Sequence, residues 1–202
     1  MRTLETLALT AFLVLLGAGE AAAQTTLRDA DFRIRAGDHD DSTSGGLKLF
    51  CLGTRLDRSV SFQVLFPASA AYRTSAAANQ LDWNKVMGIT TLRIHHNSIR
   101  LGWRWLPSED RMELGFYGYI RGRRIDQAIA RVRLDEWVDV ELRLHRGGLA
   151  VRVGSARYER AESLGLSSIF PTPTWILRTA YFGGDETAPH DMTVRVRSIR
   201  VR

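Results

Sequence analysis

The chain has 202 residues, a formal net charge of +6 and one cysteine. That length admits a single domain with or without a removable leader, and one cysteine excludes an intramolecular disulfide. Lys48 and Lys85 are the only lysines, so the positive excess is almost all arginine, whose planar fork suits carboxylates, sulfates and phosphates.

Arg2 precedes the apolar run Leu7 to Leu16, and Ala21-Ala22-Ala23 before Gln24 obeys the small-x-small rule of signal peptidase. Residues 1–23 therefore read as a signal peptide and 24–202 as one exported domain, secreted or periplasmic. The apolar run is too short to span a bilayer after processing, so no transmembrane segment is expected. A basic exported protein meets polysaccharide or cell-surface glycan. Export and the lack of a binding motif argue against nucleic acid.

Asp31 to Arg35 is a short strand candidate, followed by a loop from Ala36 to Gly46 rich in Asp, Ser and Gly. Asp38, Asp40 and Asp41 in that loop could hold a structural calcium, or form an ordinary Asx-rich turn, since the EF-hand pattern is incomplete. No other cofactor is indicated. Leu47 to Leu52 reads as a strand that buries Cys51 as a small hydrophobe. Ser59 to Phe66 alternates Val60, Phe62, Val64 and Phe66 and ends at Pro67. Ala68 to Gln80 is either a surface loop or one short helix.

Trp83 to Thr91 leads into the most informative stretch, Leu92 to Arg124. Ile99, Leu101, Trp103 and Trp105 make one face of a strand, and Met112, Leu114, Phe116, Gly118 and Ile120 the matching face of the next. Leu106 to Arg111 supplies the turn. The other face carries Ser98, Arg100, Gly102 and Arg104 opposite Glu113, Gly115, Tyr117 and Tyr119. A two-residue turn at Arg121-Gly122 sets Tyr119 opposite Arg124 and Tyr117 opposite Asp126.

Ala128 to Leu134 and Trp137 to Leu144 continue as strands, the latter with Val138, Val140, Leu142 and Leu144 inward. Gly147-Gly148 turns into Leu149, Val151 and Val153. Tyr158 to Ser168 reads as irregular or a short helix, and Pro171 and Pro173 mark a loop. Trp175 to Tyr181 is a strand that ends at the corner Phe182-Gly183-Gly184-Asp185. Met192, Val194 and Val196 alternate with Thr193, Arg195 and Arg197 until Ser198 shifts the phase, as a bulge does. Arg195, Arg197, Arg200 and Arg202 read as a guarded sheet edge. Many short strands separated by Gly, Pro and Asp turns specify an all-β antiparallel sandwich or jelly roll.

The segments WNKVMG, HHNSIRLGWRW and YGYIRGRR between Trp83 and Arg124, with the closing YFGGDETAPHDMTVRVRSIRV, resemble exported bacterial proteins of the concanavalin A-like lectin/glucanase superfamily. The resemblance implies a jelly roll of two curved sheets. The superfamily's glucanases carry an ExDxxE strand, which this chain lacks. Its alginate lyases carry an arginine-glutamate-leucine strand, a Gln-x-His strand and a Tyr-rich strand. Arg93-Ile94-His95 and Phe116-Tyr117-Gly118-Tyr119 echo the last two, whereas Met112 interrupts Arg111-Met112-Glu113-Leu114.

Three functional readings remain open at this level. In the first, Asn97, Arg100, Arg104, Glu113, Tyr117, Tyr119 and Arg124 form a platform for an acidic polysaccharide. Tyrosines stack on sugars, arginines take carboxylates, and Gly102 and Gly115 leave floor space. The second is a polysaccharide lyase, with His96 or Tyr117 as base and acid and with Asn97 and Arg100 neutralising a uronate carboxylate. Strand parity selects His96 over His95 for that face. The third is a structural or adhesion module whose polar face is merely solvated cross-strand ion pairs.

Overall fold

The structure is a computed structural model that describes residues 24–42, 49–53, 57–161, 170 and 173–202. The expected leader at 1–23, the second half of the Asp/Ser/Gly loop and Pro171 lie outside the described residues.

In chain order the strands begin with β1 (Thr25–Leu27), β2 (Ala30–Ile34), β3 (Leu49–Gly53) and β4 (Arg58–Leu65). Next come β5 (Asn84–Thr90), β6 (Ser98–Leu106), β7 (Arg111–Ile120) and β8 (Arg123–Val132). The last are β9 (Val138–His145), β10 (Gly148–Val153), β11 (Ala156–Ala161), β12 (Thr174–Tyr181) and β13 (Met192–Val201). They form two antiparallel sheets: a seven-stranded one in the order β1-β13-β4-β9-β10-β11, with β2 also on β13, and a six-stranded one in the order β3-β12-β5-β6-β7-β8. The expected all-β sandwich is the architecture found. Among the described residues, no helix is long and apolar enough to cross a membrane.

The core lies between the sheets because each strand turns every second side chain inward. Phe32, Ile34, Val60, Phe62, Val64, Val140 and Leu142 come from one sheet. Ile99, Leu101, Trp103, Met112, Leu114 and Phe116 meet them from the other, all essentially buried. Each such side chain contributes roughly 1.5–3 kcal/mol of transfer free energy. The central hairpin has the expected register, with Arg100 opposite Tyr117, Gly102 opposite Gly115 and Arg104 opposite Glu113. Arg121 and Gly122 turn with φ of 54° and 79°, and Tyr119 and Tyr117 face Arg124 and Asp126. Ser198, at φ 55°, marks the register shift in β13.

Several expectations need correction. Cys51 is exposed rather than buried, because its side chain is on the solvent side of β3, the outermost strand of its sheet. Tyr158 to Ala161 belongs to β11, paired along its whole length with β10. Ala68 to Gln80 holds two 3-10 turns, Ala68–Ala70 and Ala77–Leu81. The arginines of β13 guard no edge, since that strand is paired on both sides. Arg195 instead meets Asp31 at 3.6 Å. Arg197 donates to Gln63 at 2.8 Å and lies 3.9 Å from the centre of the Trp137 ring.

Candidate active site

The outer face of the six-stranded sheet is built from the polar side of β6 and β7 and from the strands beside them. On β5, Lys85 pairs in register with Gly102, and Gly88 with Arg100. Met87 between them is an extra residue with φ 44°. This bulge lets Val86 and Met87 both enter the core while Lys85 stays on the outer side. On β12, Leu177, Thr179 and Tyr181 reach the same face.

Gly102 and Gly115 do not leave a floor for sugar, contrary to expectation. The Trp83 indole fills that space: a Cβ at 102 would come within 2.9 Å of it, and one at 115 within 2.7 Å. The indole N–H donates to Asp126 Oδ2 at 3.0 Å, and the Arg104 guanidinium stacks 4.2 Å from the ring centre. Arg104 also holds Glu113 at 2.6 Å and donates to the Leu81 carbonyl at 2.7 Å. Arg131 reaches Glu113 from β8 at 3.3 Å. The expected platform is therefore divided. Arg104 and Glu113 belong to a closed ion-pair cluster, and Trp83 is a wall separating it from Arg100, Tyr117 and Tyr119.

Beyond that wall lies a pocket of about 380 Å³, lined by Lys85, Arg100, Tyr117, Tyr119 and Tyr181, with His95, Ile94, Thr179, Leu177, Gly184 and Asp40 around them. Lys85 and Arg100 are only 8% and 7% exposed, yet neither forms an ion pair with a carboxylate among the described residues, the Asp82 charge acting on Lys85 from beyond ion-pair distance. Lys85 Nζ sits 4.7 Å from the Tyr117 ring centre and 5.0 Å from that of Tyr181. Glycine at 183 admits the lysine head, since a Cβ there would stand 2.6 Å from Nζ. The Arg100 stem likewise crosses Gly88, where a Cβ would meet its Cγ at 2.5 Å. Arg100 Nε and Ser98 Oγ are buried without a hydrogen-bond partner among the described residues.

Burial lowers the Lys85 pKa to about 8, with the neighbouring Arg100 charge adding to the shift. Burial also lowers the pKa of Arg100. It raises that of Tyr117, as does the hydrogen bond with Tyr119, whose hydroxyl is 3.3 Å away. The pocket thus offers a guanidinium, an amine whose proton is loosened to about 8, and a Tyr117 phenol that keeps its own.

The remaining expected residues are dispersed. Residues 94–96 form a turn rather than the start of β6, so strand parity does not govern them. As a result His95, not His96, lines the pocket, edge-on to Tyr119 at 5.3 Å. His96 is absent from that lining; it borders the adjoining hollow along Leu92 to His96 and lies next to Gly122. Asn97 is a buried staple whose Oδ1 accepts the Arg121 N–H at 2.9 Å, and it is not among the residues lining the pocket. Arg124 lies at the edge, 3.5 Å from Asp126. The calcium loop does not gather. Asp41 Oδ2 accepts from the Thr179 hydroxyl and the Ala180 N–H, Asp40 bridges to Tyr181, and Asp38 turns back on Arg35. Among the described residues no three His, Cys, Asp or Glu side chains converge on a metal position.

Lys85 and Tyr181 escaped the sequence reading. The available signal was composition: a lysine at 85 in a chain that otherwise uses arginine almost everywhere. Tyr181 was legible only as the end of a strand before a glycine corner.

No protein-family model matches the chain, and no curated protein matches it in sequence. Solved structures do share its fold. The alginate lyase of Klebsiella pneumoniae superposes with a TM-score of 0.57 at 11% identity, over 72% of this chain and 59% of that enzyme. This chain thus spans under two thirds of that lyase. A marine family 7 alginate lyase of Zobellia galactanivorans gives 0.54 at 12% identity, over 86% and 77%. The Chlorella virus alginate lyase gives 0.52 at 12% identity, over 89% and 88%. At these identities the likeness carries the fold, a concanavalin A-like jelly roll of two antiparallel sheets.

Proposed function

We propose that this protein is an exported polysaccharide lyase that takes a uronate-bearing glycan into the pocket of Lys85, Arg100, Tyr117 and Tyr119. The observation that carries the reading is the pair of buried cations without an ion pair to a carboxylate among the described residues. Burying a charge is costly unless something pairs with it, and the carboxylate of a uronate is a partner of the right sign and shape. The alginate lyases that share the fold act on such a polymer, which supports the substrate class.

In the proposed reaction Arg100 binds the carboxylate and stabilises the negative charge that grows on it in the transition state. Lys85, as the free amine, takes the proton from the carbon next to the carboxylate. The released electron pair forms a carbon–carbon double bond, and the bond from the neighbouring carbon to the glycosidic oxygen breaks. The Tyr117–Tyr119 pair returns a proton to that leaving oxygen. A base with a pKa near 8 and a phenol that holds its proton divide the acid and base roles.

The test is incubation with polymannuronate, polyguluronate, polyglucuronate and pectate, following the ultraviolet absorbance of the unsaturated product. The rate should climb as pH rises through about 8, and Lys85→Met and Tyr117→Phe should each remove product. Retention of a polyuronate in affinity electrophoresis with no product would reduce the function to glycan binding. Neither retention nor product would overturn the reading entirely.

A further inference from the structure

The pocket is closed at one end of the strands and open at the other. Trp83 shuts it toward Arg104 and Glu113, and Asp82 packs against Gly184 on that side. At the opposite end stand the β5–β6 turn, residues 91–97, and the β7–β8 turn at Arg121-Gly122. The two turns are stitched together: Gly122 N–H donates to the His96 carbonyl at 2.9 Å, and Arg121 N–H to Asn97 Oδ1 at 2.9 Å. The first turn is braced internally, with His96 and Asn97 N–H both donating to the Arg93 carbonyl at 2.8 and 3.1 Å. A second hollow of about 430 Å³ lies along Leu92 to His96 and shares Ile94 and His95 with the main pocket.

This rim is strongly basic. It carries Arg93, Arg121 and Arg124, all exposed; Arg124 is opposite Tyr119 and shares the pocket face, whereas Arg123, opposite Ile120, is on the other face of β8. Arg93 has no acidic partner among the described residues, and the Arg124–Asp126 contact is a loose 3.5 Å between exposed groups. We infer that the stitched turns form a second anion-binding track, on which a polyuronate strand lays its next charged units as it leaves the pocket over His95. The inference rests on the lyase reading for its substrate class and goes beyond it in assigning a direction and a length requirement. The pocket alone would serve a single uronate. Arginines at the open end make a longer polyanion the better ligand, because each further carboxylate meets an exposed cation and releases a counterion.

The experiment is affinity electrophoresis in gels containing polyguluronate at increasing salt, beside KM measurements on short and long chains. The wild-type protein should be retarded in a salt-dependent manner and should favour long chains. The double variant Arg93→Ser/Arg124→Ser should lose most of the retardation, with a log–log salt slope shallower by about 1–2, and its KM ratio between short and long chains should collapse toward one. A control double variant on the other sheet, Arg157→Ser/Arg195→Ser, should behave as wild type. Equal retardation and slope in the rim and control variants would overturn the track. A protein that yields product but ignores the rim substitutions keeps the lyase reading and loses the track. One that needs the rim for retention but yields no product from any polyuronate does the reverse.

Discussion

Both sheets turn arginines away from the core, and they use the charge in opposite ways. On the seven-stranded sheet four solvent-side arginines are answered by carboxylates. Arg195 meets Asp31, Arg152 meets Glu141, Arg143 meets Asp57 and Arg157 meets Glu159. Such pairs contribute little individually because water screens them. On the six-stranded sheet Lys85 and Arg100 are buried and form no ion pair with a carboxylate among the described residues, Asp82 reaching Lys85 only through its field. The difference identifies a site by what its charges lack rather than by which residue types are present.

The strongest way to break this contrast is to remove the buried cations. Arg100→Ala and Lys85→Met should each cut turnover by about a hundred-fold or more, read from release of unsaturated product. If either retains wild-type activity, the buried pair is structural. Next in size, Glu113→Ala should cost about 3 kcal/mol in urea denaturation, since it strands the Arg104 fork beneath which Trp83 is stacked. Gly115→Ala should cost about 1–3 kcal/mol, because its Cβ meets both Trp83 and the Gln127 backbone oxygen, the latter at 2.4 Å.

Lys85 also tests the contrast through stability. Its folded pKa, about 8, lies below the ordinary 10.5. Below pH 8 it is charged in both states, so the full penalty of burying it is present. Between about 8 and 10.5 only the unfolded chain stays protonated, and the penalty is relieved as pH rises. Lys85→Met should therefore stabilise the fold by about 1–3 kcal/mol at pH 7, and its advantage should shrink by pH 10. An advantage that is the same at both pH values would mean that the ammonium is not penalised. Smallest of all, Arg195→Ala on the other sheet should shift stability by less than about 0.5 kcal/mol and leave turnover unchanged.

Much of the fold was legible because strand period and turn chemistry are local. Ile99, Leu101 and Trp103 must share a side, Arg121-Gly122 turns two strands tightly, and Ser198 breaks the phase of its strand, whatever surrounds them. The site was only half legible. Arg100, Tyr117 and Tyr119 followed from parity within one hairpin. Lys85 and Tyr181 reach the pocket from strands whose neighbours are set by the sheet order, which no local pattern encodes. His95 and His96 were interchanged because a turn replaced the strand that parity assumed. Trp83 was the largest omission: an indole from outside the hairpin lies on the two glycines whose bareness had looked like room for a ligand.

The extra backbone step at Met87 has a consequence for how the site can change. By switching alternation partway along β5, it separates the residue that faces the pocket from those that anchor the strand beneath. Shortening the strand by that one position would turn Lys85 toward the hydrophobic interior unless the residues after it rotated instead. Variants that keep this irregularity are free to exchange the amine for another head group without repacking Val86 and Ile89, so new chemistry can be tried here on an intact frame.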